Sequence, residues 1–556
     1  MTRTRKQIFL WGWLFVFLST SIASAQFPGK HWEMYKTTED AGWSSSGLEA
    51  AKARYDSTAA AALLVVFDGR ILVAWGDVTR RYMCHSVRKS FLSALYGIYV
   101  DEGVIDIDET LADLGIDDIS PLTDDEKRAK IRDLLKARSG VYHSAAYETQ
   151  RMKELRPKRG SHPRDTFWYY NNWDFNALGT IFERETGLDI FEAYDRRIAG
   201  PIGMEDYRVS DGYYHLEIEN SMHPAYPFRM SARDMARFGL LFLRGGDWNG
   251  KRIISRRWIA ESTTSYSEAG EGGYGYLWWV EGPVAAPGMY FALGYGGQVI
   301  GVCPAENVVF VQRVDTYREQ SVAMGDALAV VKAVLDARVA PPKPRPAVKV
   351  FDPPPAQPAR LTKLRKSILN RYAKAYTLRG ETVRVDVGGN DLVFESPSFG
   401  TFKLQPISKN KFFMEDAEFY AVFDFNDGVP VNLDLLASED AADFYLDILR
   451  SGADAAIRRY EKVIAAGGPG FGEGGLNGIG YRLMGNGKVD EAIALFELNV
   501  RAHPESFNVY DSLGEAYMTR GDTEAAIHNY EKSLELNPEN ENAKQMLRRM
   551  GVRPER

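Results

Sequence analysis

Ser86-Val87-Arg88-Lys89 opens a run in which Phe91, Leu92, Leu95 and Ile98 recur at helical spacing before Gly103 closes it. The pattern predicts a buried helix from near Ser86 to Gly103, with the serine hydroxyl and the lysine amine on one face, one turn apart. Serine is a poor nucleophile until a base lies within hydrogen-bond reach. A lysine can be that base, or can tune another one, once burial weakens its hold on a proton. The four residues alone carry little weight, because Ser408 to Lys411 repeats the S-x-x-K spelling in what reads as a surface turn.

Two further stretches supply matching chemistry. Tyr170-Asn171-Asn172 is a Y-x-N, and Tyr169-Tyr170-Asn171 overlaps it as a second one. A phenol beside an ammonium loses its proton more readily than a free one, so a tyrosinate could receive the serine proton. Gly294-Tyr295-Gly296-Gly297-Gln298 reads as a glycine-rich lead into the strand Val308 to Val311. Bare backbone at Gly296 and Gly297 would let a substrate carbonyl approach N–H groups that stabilise an oxyanion. His85 adjoins the serine, but neighbours on a helix point in different directions, so it reads as packing or pocket lining.

Outward from this core, residues 26–340 alternate strand-like and helix-like stretches, as an α/β or α+β enzyme domain does. Ala62 to Phe67, the turn pair Asp68-Gly69 and Ile71 to Trp75 read as a β-hairpin. Eight of the 25 prolines fall between Pro341 and Pro358, which predicts an extended linker over residues 341–362. Short strand candidates at residues 383–387, 391–395, 402–404, 412–415 and 420–425 then predict a small antiparallel β-domain over residues 363–437. Residues 438–556 read as all-α. Gly480 and Gly514, Gly487 and Gly521, Ala492 and Ala526, Phe496 and Tyr530, and Pro504 and Pro538 are each separated by the period of a tetratricopeptide unit. Such repeats serve as a brace for the rest of the chain or bind a protein partner. Residues 1–25, with Arg3, Arg5 and Lys6, an apolar run and Ala23-Ser24-Ala25, read as a cleavable leader, so the expectation is an exported, periplasmic or secreted protein with no membrane span after cleavage.

The 556 residues include 68 Lys+Arg against 75 Asp+Glu, a formal charge of -7, which leaves no basic field for nucleic acid. Two cysteines, Cys84 and Cys303, allow at most one bridge, and neither an H-E-x-x-H nor a Cys/His cluster occurs, so no metal is expected. Residues 245–251 fit the start of a P-loop, but Arg252 stands where Ser or Thr must hold Mg²⁺, and Asn249-Gly250 reads as a turn. No G-x-S-x-G elbow is present.

The ordered set resembles the serine β-lactamase and penicillin-binding-protein superfamily, in its class C-like esterase branch with the 6-aminohexanoate-dimer hydrolase-type enzymes. The resemblance runs from about Ala41 to Asp336. It includes the stretch Glu102 to Asp108, the helix after Tyr170 to Leu178-Gly179, Arg229 to Gly239, and Tyr274 to Trp279. Spacing to Leu178-Gly179 selects Tyr170 and Asn172 over the overlapping alternative and leaves Tyr169 as a packing residue. The resemblance implies that Ser86 is acylated, that Lys89 tunes the protons and that Tyr170 is general base, then acid. It implies that Asn172 positions substrate and Lys89, that the N–H groups of Ser86 and Gln298 form the oxyanion hole, and that no organic cofactor is needed. Where the family often has Lys or His to bind a substrate carboxylate, this chain has Tyr295, which moves esters and neutral amides ahead of β-lactams and D-alanyl peptides. An inactive hydrolase scaffold working through its repeats is the reading from another class. The small β-domain resembles the lipocalin-like modules appended to some members.

Overall fold

Ala60 to Phe67 is apolar at every position, which suits a strand covered on both faces. The structure, a computed structural model, describes residues 26–552 apart from Glu271, residues 281–287, Glu319, residues 354–359, Arg379 and Pro469; the leader expected over residues 1–25 lies outside the described residues. Ala60–Phe67 and Arg70–Gly76 form the expected hairpin, with Asp68 and Gly69 both at positive φ, as a two-residue type I′ turn requires.

The hairpin sits inside a ten-stranded sheet. Beyond Ala60–Phe67 come Val308–Val314, Gln298–Cys303 and Tyr290–Gly294; beyond Arg70–Gly76 comes Glu33–Tyr35, the one strand paired parallel to its neighbour among those described. Leu63, Val65 and Phe67 face the helices Ser45–Asp56 and Met324–Asp336 through Leu48, Val330 and Val334. Leu64 and Val66 face the main core, which holds Phe91, Leu92, Leu95, Phe238 and Leu241. The Arg88–Asp101 helix is thus wholly inside the domain, as its apolar stripe demands.

Three placements differ from the sequence reading. The glycine-rich segment does not lead into Val308–Val314: Gly294 ends one strand and Gln298 begins the next, so Tyr295 to Gly297 turn a hairpin. The proline-rich stretch is not all spacer, because Val348–Val350 pairs antiparallel with Glu33–Tyr35 at the sheet edge. Residues 407–410 do turn between Gly400–Pro406 and Lys411–Met414, but Lys411 is not at the surface: it is buried, and its ammonium donates to Glu439 at 2.8 Å and Asp443 at 2.6 Å. Asn249-Gly250 does turn a short hairpin between Asp247–Trp248 and Lys251–Arg252, with both residues at positive φ.

Seven antiparallel strands follow in chain order from Lys374–Leu378 to Val429–Leu436, around Tyr376, Val385, Phe394, Leu404 and Phe423. The Lys374 ammonium donates to the Pro430 carbonyl and draws the first and last strands together into a near-barrel. The terminal strands, Lys374–Leu378 and Val429–Leu436, were absent from the sequence reading.

The helical repeats have a packing cause for their period. A Cβ at Gly480 would lie 2.5 Å from the Phe496 ring, and one at Gly514 would lie 3.2 Å from the Tyr530 ring. Each glycine lets its helix close on its partner's aromatic ring: Glu473–Gly485 on Val489–Ala502, and Phe507–Arg520 on Thr523–Leu536. The array also leans on the near-barrel, where Arg482 donates to the Leu435 carbonyl at 2.9 Å and Asn486 donates to the Asp434 carboxylate. Cys84 and Cys303 are both free and buried. No helix among the described residues is long and apolar enough to cross a membrane.

Candidate active site

Ser86 lies on the single 3-10 turn His85–Val87 that feeds the Arg88–Asp101 helix. The turn is pinned from behind: the Cys84 N–H donates to the Phe228 carbonyl at 2.8 Å, and the buried Arg313 guanidinium donates to the carbonyls of Tyr82 at 2.7 Å and Met83 at 3.0 Å. His85 takes φ 49°, a left-handed conformation uncommon outside glycine. Strain of this kind just before the serine persists only where surrounding contacts hold it. Those contacts are hydrogen bonds at both ring nitrogens, between Nε2 and Thr316 Oγ1 at 2.8 Å and between Nδ1 and Tyr147 Oη at 3.2 Å.

Three of the expected residues converge on Ser86. The Lys89 Nζ stands 2.9 Å from Ser86 Oγ, 2.8 Å from Tyr170 Oη and 3.0 Å from Asn172 Oδ1. Its ammonium position lies over apolar ring faces, 4.4 Å from the Tyr170 centroid and 4.5 Å from that of Phe175. Asn172 is fixed at the start of the Asn172–Thr186 helix, where its Nδ2 also donates to the Tyr147 carbonyl at 2.6 Å. Asn171 caps that helix by accepting from the Trp173 N–H, while Tyr169 turns away and donates to the Met152 carbonyl at 2.7 Å. The helix therefore presents Asn172 to Lys89, and Tyr170, stacked on Trp279 with centroids 5.5 Å apart, comes in from the preceding residues.

Burial sets the electrostatics. It holds the Lys89 ammonium well below its ordinary range, and the neighbouring Arg88 charge pushes the same way. It pushes the Tyr170 phenol up to about 12, against the hydrogen bond from Ser86 and the Arg88 charge. Both neutral forms, amine and phenol, are the ones a dry pocket favours. His85 is driven down to about 3 by burial first and the Arg88 charge second, so its ring is neutral.

The hairpin residues are partly brought in and partly reassigned. A Cβ on Gly294 would stand 2.5 Å from the Cys84 carbonyl oxygen and 3.0 Å from the Gln298 Cβ, so this glycine lets the strand edge meet the nucleophile turn. Gly296 and Gly297 have φ of 76° and 96°, and Cβ atoms there would stand 2.4 Å from Thr316 Cγ2 and 2.6 Å from the Val322 carbonyl oxygen. Their bareness serves the turn and its packing on residues 316–322, where the sequence reading had assigned it to room for substrate. The Gln298 side chain is buried and bonded to the Val314 backbone, Nε2 to O at 2.9 Å, so its side chain is committed to the sheet. Tyr295 is 64% exposed at the hairpin tip, with its ring edge-on to His85 at 5.4 Å.

Tyr147, Thr316 and Arg88 were not singled out. Tyr147 and Thr316 lie 62 and 231 residues from His85, in stretches without motif spelling. Arg88 stood in plain view as an unassigned position of the tetrapeptide. The near-barrel also comes close: the Pro397 carbonyl meets His215 Nδ1 at 3.0 Å, and the His215 ring is edge-on to Tyr147 at 5.4 Å.

A family profile described as beta-lactamase matches residues 48–330, a stretch that contains every residue of this site. The chain belongs to the beta-lactamase family. A tetratricopeptide repeat profile matches residues 507–540, outside the beta-lactamase region. The 6-aminohexanoate-dimer hydrolase of Paenarthrobacter ureafaciens is 24% identical over 263 residues, which are 42% of this chain and 65% of that protein. Superkiller complex protein 3 of Homo sapiens is 43% identical over 53 residues, 10% of this chain and 3% of that protein. The chain thus spans less than two thirds of either relative. Among solved structures, the penicillin-binding protein homologue from Pyrococcus abyssi is 18% identical with a TM-score of 0.39, over 70% of this chain and 97% of that one.

Proposed function

We propose that this beta-lactamase-family protein hydrolyses an ester or amide through an acyl-enzyme on Ser86. The observation that carries the reading is the buried Lys89 Nζ 2.9 Å from Ser86 Oγ, with burial lowering its hold on a proton. Ser86 Oγ attacks the substrate carbonyl carbon, and its proton passes to Lys89 Nζ. The oxyanion is assigned to the backbone N–H groups of Ser86 and Gln298, which the close approach at Gly294 supports. The bond to the leaving group then breaks, and Tyr170 Oη, 2.8 Å from Lys89, returns the proton to it as a hydroxyl relay. A standing tyrosinate, the base considered from sequence, is opposed by the push of this phenol to about 12. Water attacks the ester of Ser86 by the same route in reverse.

The mouth of the site supports one substrate class over another. Tyr295 and a neutral His85 stand where a substrate carboxylate would need a cation, which favours esters and neutral amides over β-lactams and D-alanyl peptides. The contacts of Lys89 with Ser86, Tyr170 and Asn172 weigh against an inactive scaffold. The tetratricopeptide match supports a protein partner for the helices, while their contacts on the near-barrel support a brace.

Intact-mass spectrometry after exposure to a fluorophosphonate tests the chemistry. One adduct is expected on the wild type and none on Ser86→Ala. An adduct that survives the substitution, or no adduct on the folded wild type, rejects the reading. Nitrocefin tests the specificity separately: turnover far slower than that of a p-nitrophenyl ester is expected, and fast nitrocefin hydrolysis would return the carboxylate-binding class to first place.

A further inference from the structure

Arg88 is wholly buried, yet among the described residues no carboxylate lies within ion-pair distance of it. Its Nη1 donates to the His85 carbonyl at 3.2 Å, and its Nε and Nη2 have no hydrogen-bond partner. What contains the charge is a pair of ring faces, Tyr147 and Tyr226, each with its centroid 5.1 Å from the guanidinium carbon. Arg88 is also the first residue of the Arg88–Asp101 helix, whose N-terminal end already carries a positive partial charge. Burial, the helix end and the missing counter-ion all make this a costly place for a cation, since a charge taken out of water is destabilising unless it is paired.

The surroundings leave that charge unopposed. His85, driven down to about 3, is a neutral ring, and Cys84, pushed up to about 12, is a neutral thiol. The phenols of Tyr147, Tyr170, Tyr226 and Tyr274 are all raised by burial and stay protonated. Asp174, on the Asn172–Thr186 helix, has its carboxyl raised well above its ordinary range by burial and accepts from Ser139 and Asn171, making no ion pair with Arg88 among the described residues. Arg313 is the other cation behind the nucleophile turn, and it is spent on the Tyr82 and Met83 carbonyls. The one ionisable group adjacent to Arg88 that shares its sign is Lys89.

We propose that Arg88 is a positioning residue: its fixed, uncompensated charge disfavours protonation of the adjacent Lys89 amine by solvent, and so keeps its lone pair free to receive the Ser86 proton. A guanidinium suits the task because it holds its charge where an ammonium would give it up. The proposal rests on Lys89 acting as the base for Ser86, and the test separates the two.

The rate of Ser86 labelling by a fluorophosphonate is measured from pH 5 to 10 on the full chain, for the wild type, Arg88→Met and Arg88→Lys, with folding checked by circular dichroism. The wild-type rate should climb with pH along a limb set by Lys89. In Arg88→Met the limb should move up by about one pH unit, with labelling about tenfold slower below it. In Arg88→Lys, whose buried, unpaired ammonium gives up its charge, the limb should move up as it does in Arg88→Met. A limb in Arg88→Met that superposes on the wild type overturns the assignment and leaves the hydrolase reading standing. A wild type that labels at no pH overturns both. If Arg88→Met does not fold, Arg88→Gln, also uncharged, takes its place with the same expected shift.

Discussion

Lys89→Met should slow acylation of Ser86 by about 10³-fold, the size expected when a general base is lost, while leaving the fold in place. Methionine has nearly the length of the lysine stem and suits the ring faces of Tyr170 and Phe175 that the amine now overlies. What disappears is the acceptor for the Ser86 proton, together with the donor to Asn172 Oδ1. The readouts are the fluorophosphonate labelling rate and ester turnover. Labelling within about threefold of the wild type would remove Lys89 from the proton path.

The same variant carries a signature in stability. Burial lowers the pKa of Lys89 in the folded chain, so between that value and the ordinary 10.5 the unfolded chain binds the extra proton and the folded chain does not. In that window the wild type therefore gains stability as pH rises, and the gain is complete once the unfolded lysine is itself deprotonated. Below the folded value both states hold the proton and the slope vanishes. Methionine has no such term. The stability of the wild type relative to Lys89→Met should accordingly rise with pH from neutral to about 10, and urea midpoints at pH 6, 8 and 10 measure it. A constant difference would mean that Lys89 keeps its ammonium in the folded protein.

What the sequence disclosed and what it withheld divide by the range of the interactions involved. Asp68-Gly69 was readable as a turn because both residues must take positive φ locally, whatever surrounds them. The 34-residue period of the repeats was readable because Gly480 against Phe496 and Gly514 against Tyr530 are the same steric need met twice. Ser86, Lys89, Tyr170 and Asn172 were found through motif spelling and family spacing, and the structure does bring them together. The errors came where a distant element decides the environment. Lys411 looks like a turn residue until the Glu439–Ser451 helix covers it with Glu439 and Asp443. Gly296 and Gly297 were read for the access their bareness gives a substrate, and the sequence did not show that Thr316 and Val322 also require it. Lys374–Leu378 was missed as a strand because Lys374, Ala375 and Thr377 are exposed and only Tyr376 and Leu378 point inward, a pattern too short to stand out.

Arg80→Met should separate the near-barrel from the hydrolase domain. Arg80 is 8% exposed and reaches across the boundary, with Nε to the Asp416 carbonyl at 2.7 Å, Nη2 to the Ala417 carbonyl at 2.8 Å and Nη1 to Glu418 at 2.9 Å. On its own side it pairs with Asp315 at 2.9 Å, and Asp315 is itself 4% exposed. Methionine fills much of the volume but leaves that carboxylate buried, with Arg318 at 3.5 Å as its nearest remaining cation. Breaking one side of a buried pair costs about 3 to 5 kcal/mol, far more than the loss of an exposed partner such as Glu418 would. The consequence should extend to the active site, because Asp315 precedes Thr316, which holds the His85 ring, and Tyr317, whose ring packs on Phe399, Phe402 and Phe419 of the near-barrel. Denaturant unfolding of Arg80→Met should therefore begin at lower concentration and resolve into two steps, with the near-barrel released first and Ser86 labelling slowed in parallel. Glu418→Gln, which leaves Arg80 and Asp315 paired, should stay within about 1 kcal/mol of the wild type. A single transition at the wild-type midpoint in Arg80→Met would mean that the apolar contacts of Tyr317 hold the two parts together without the guanidinium.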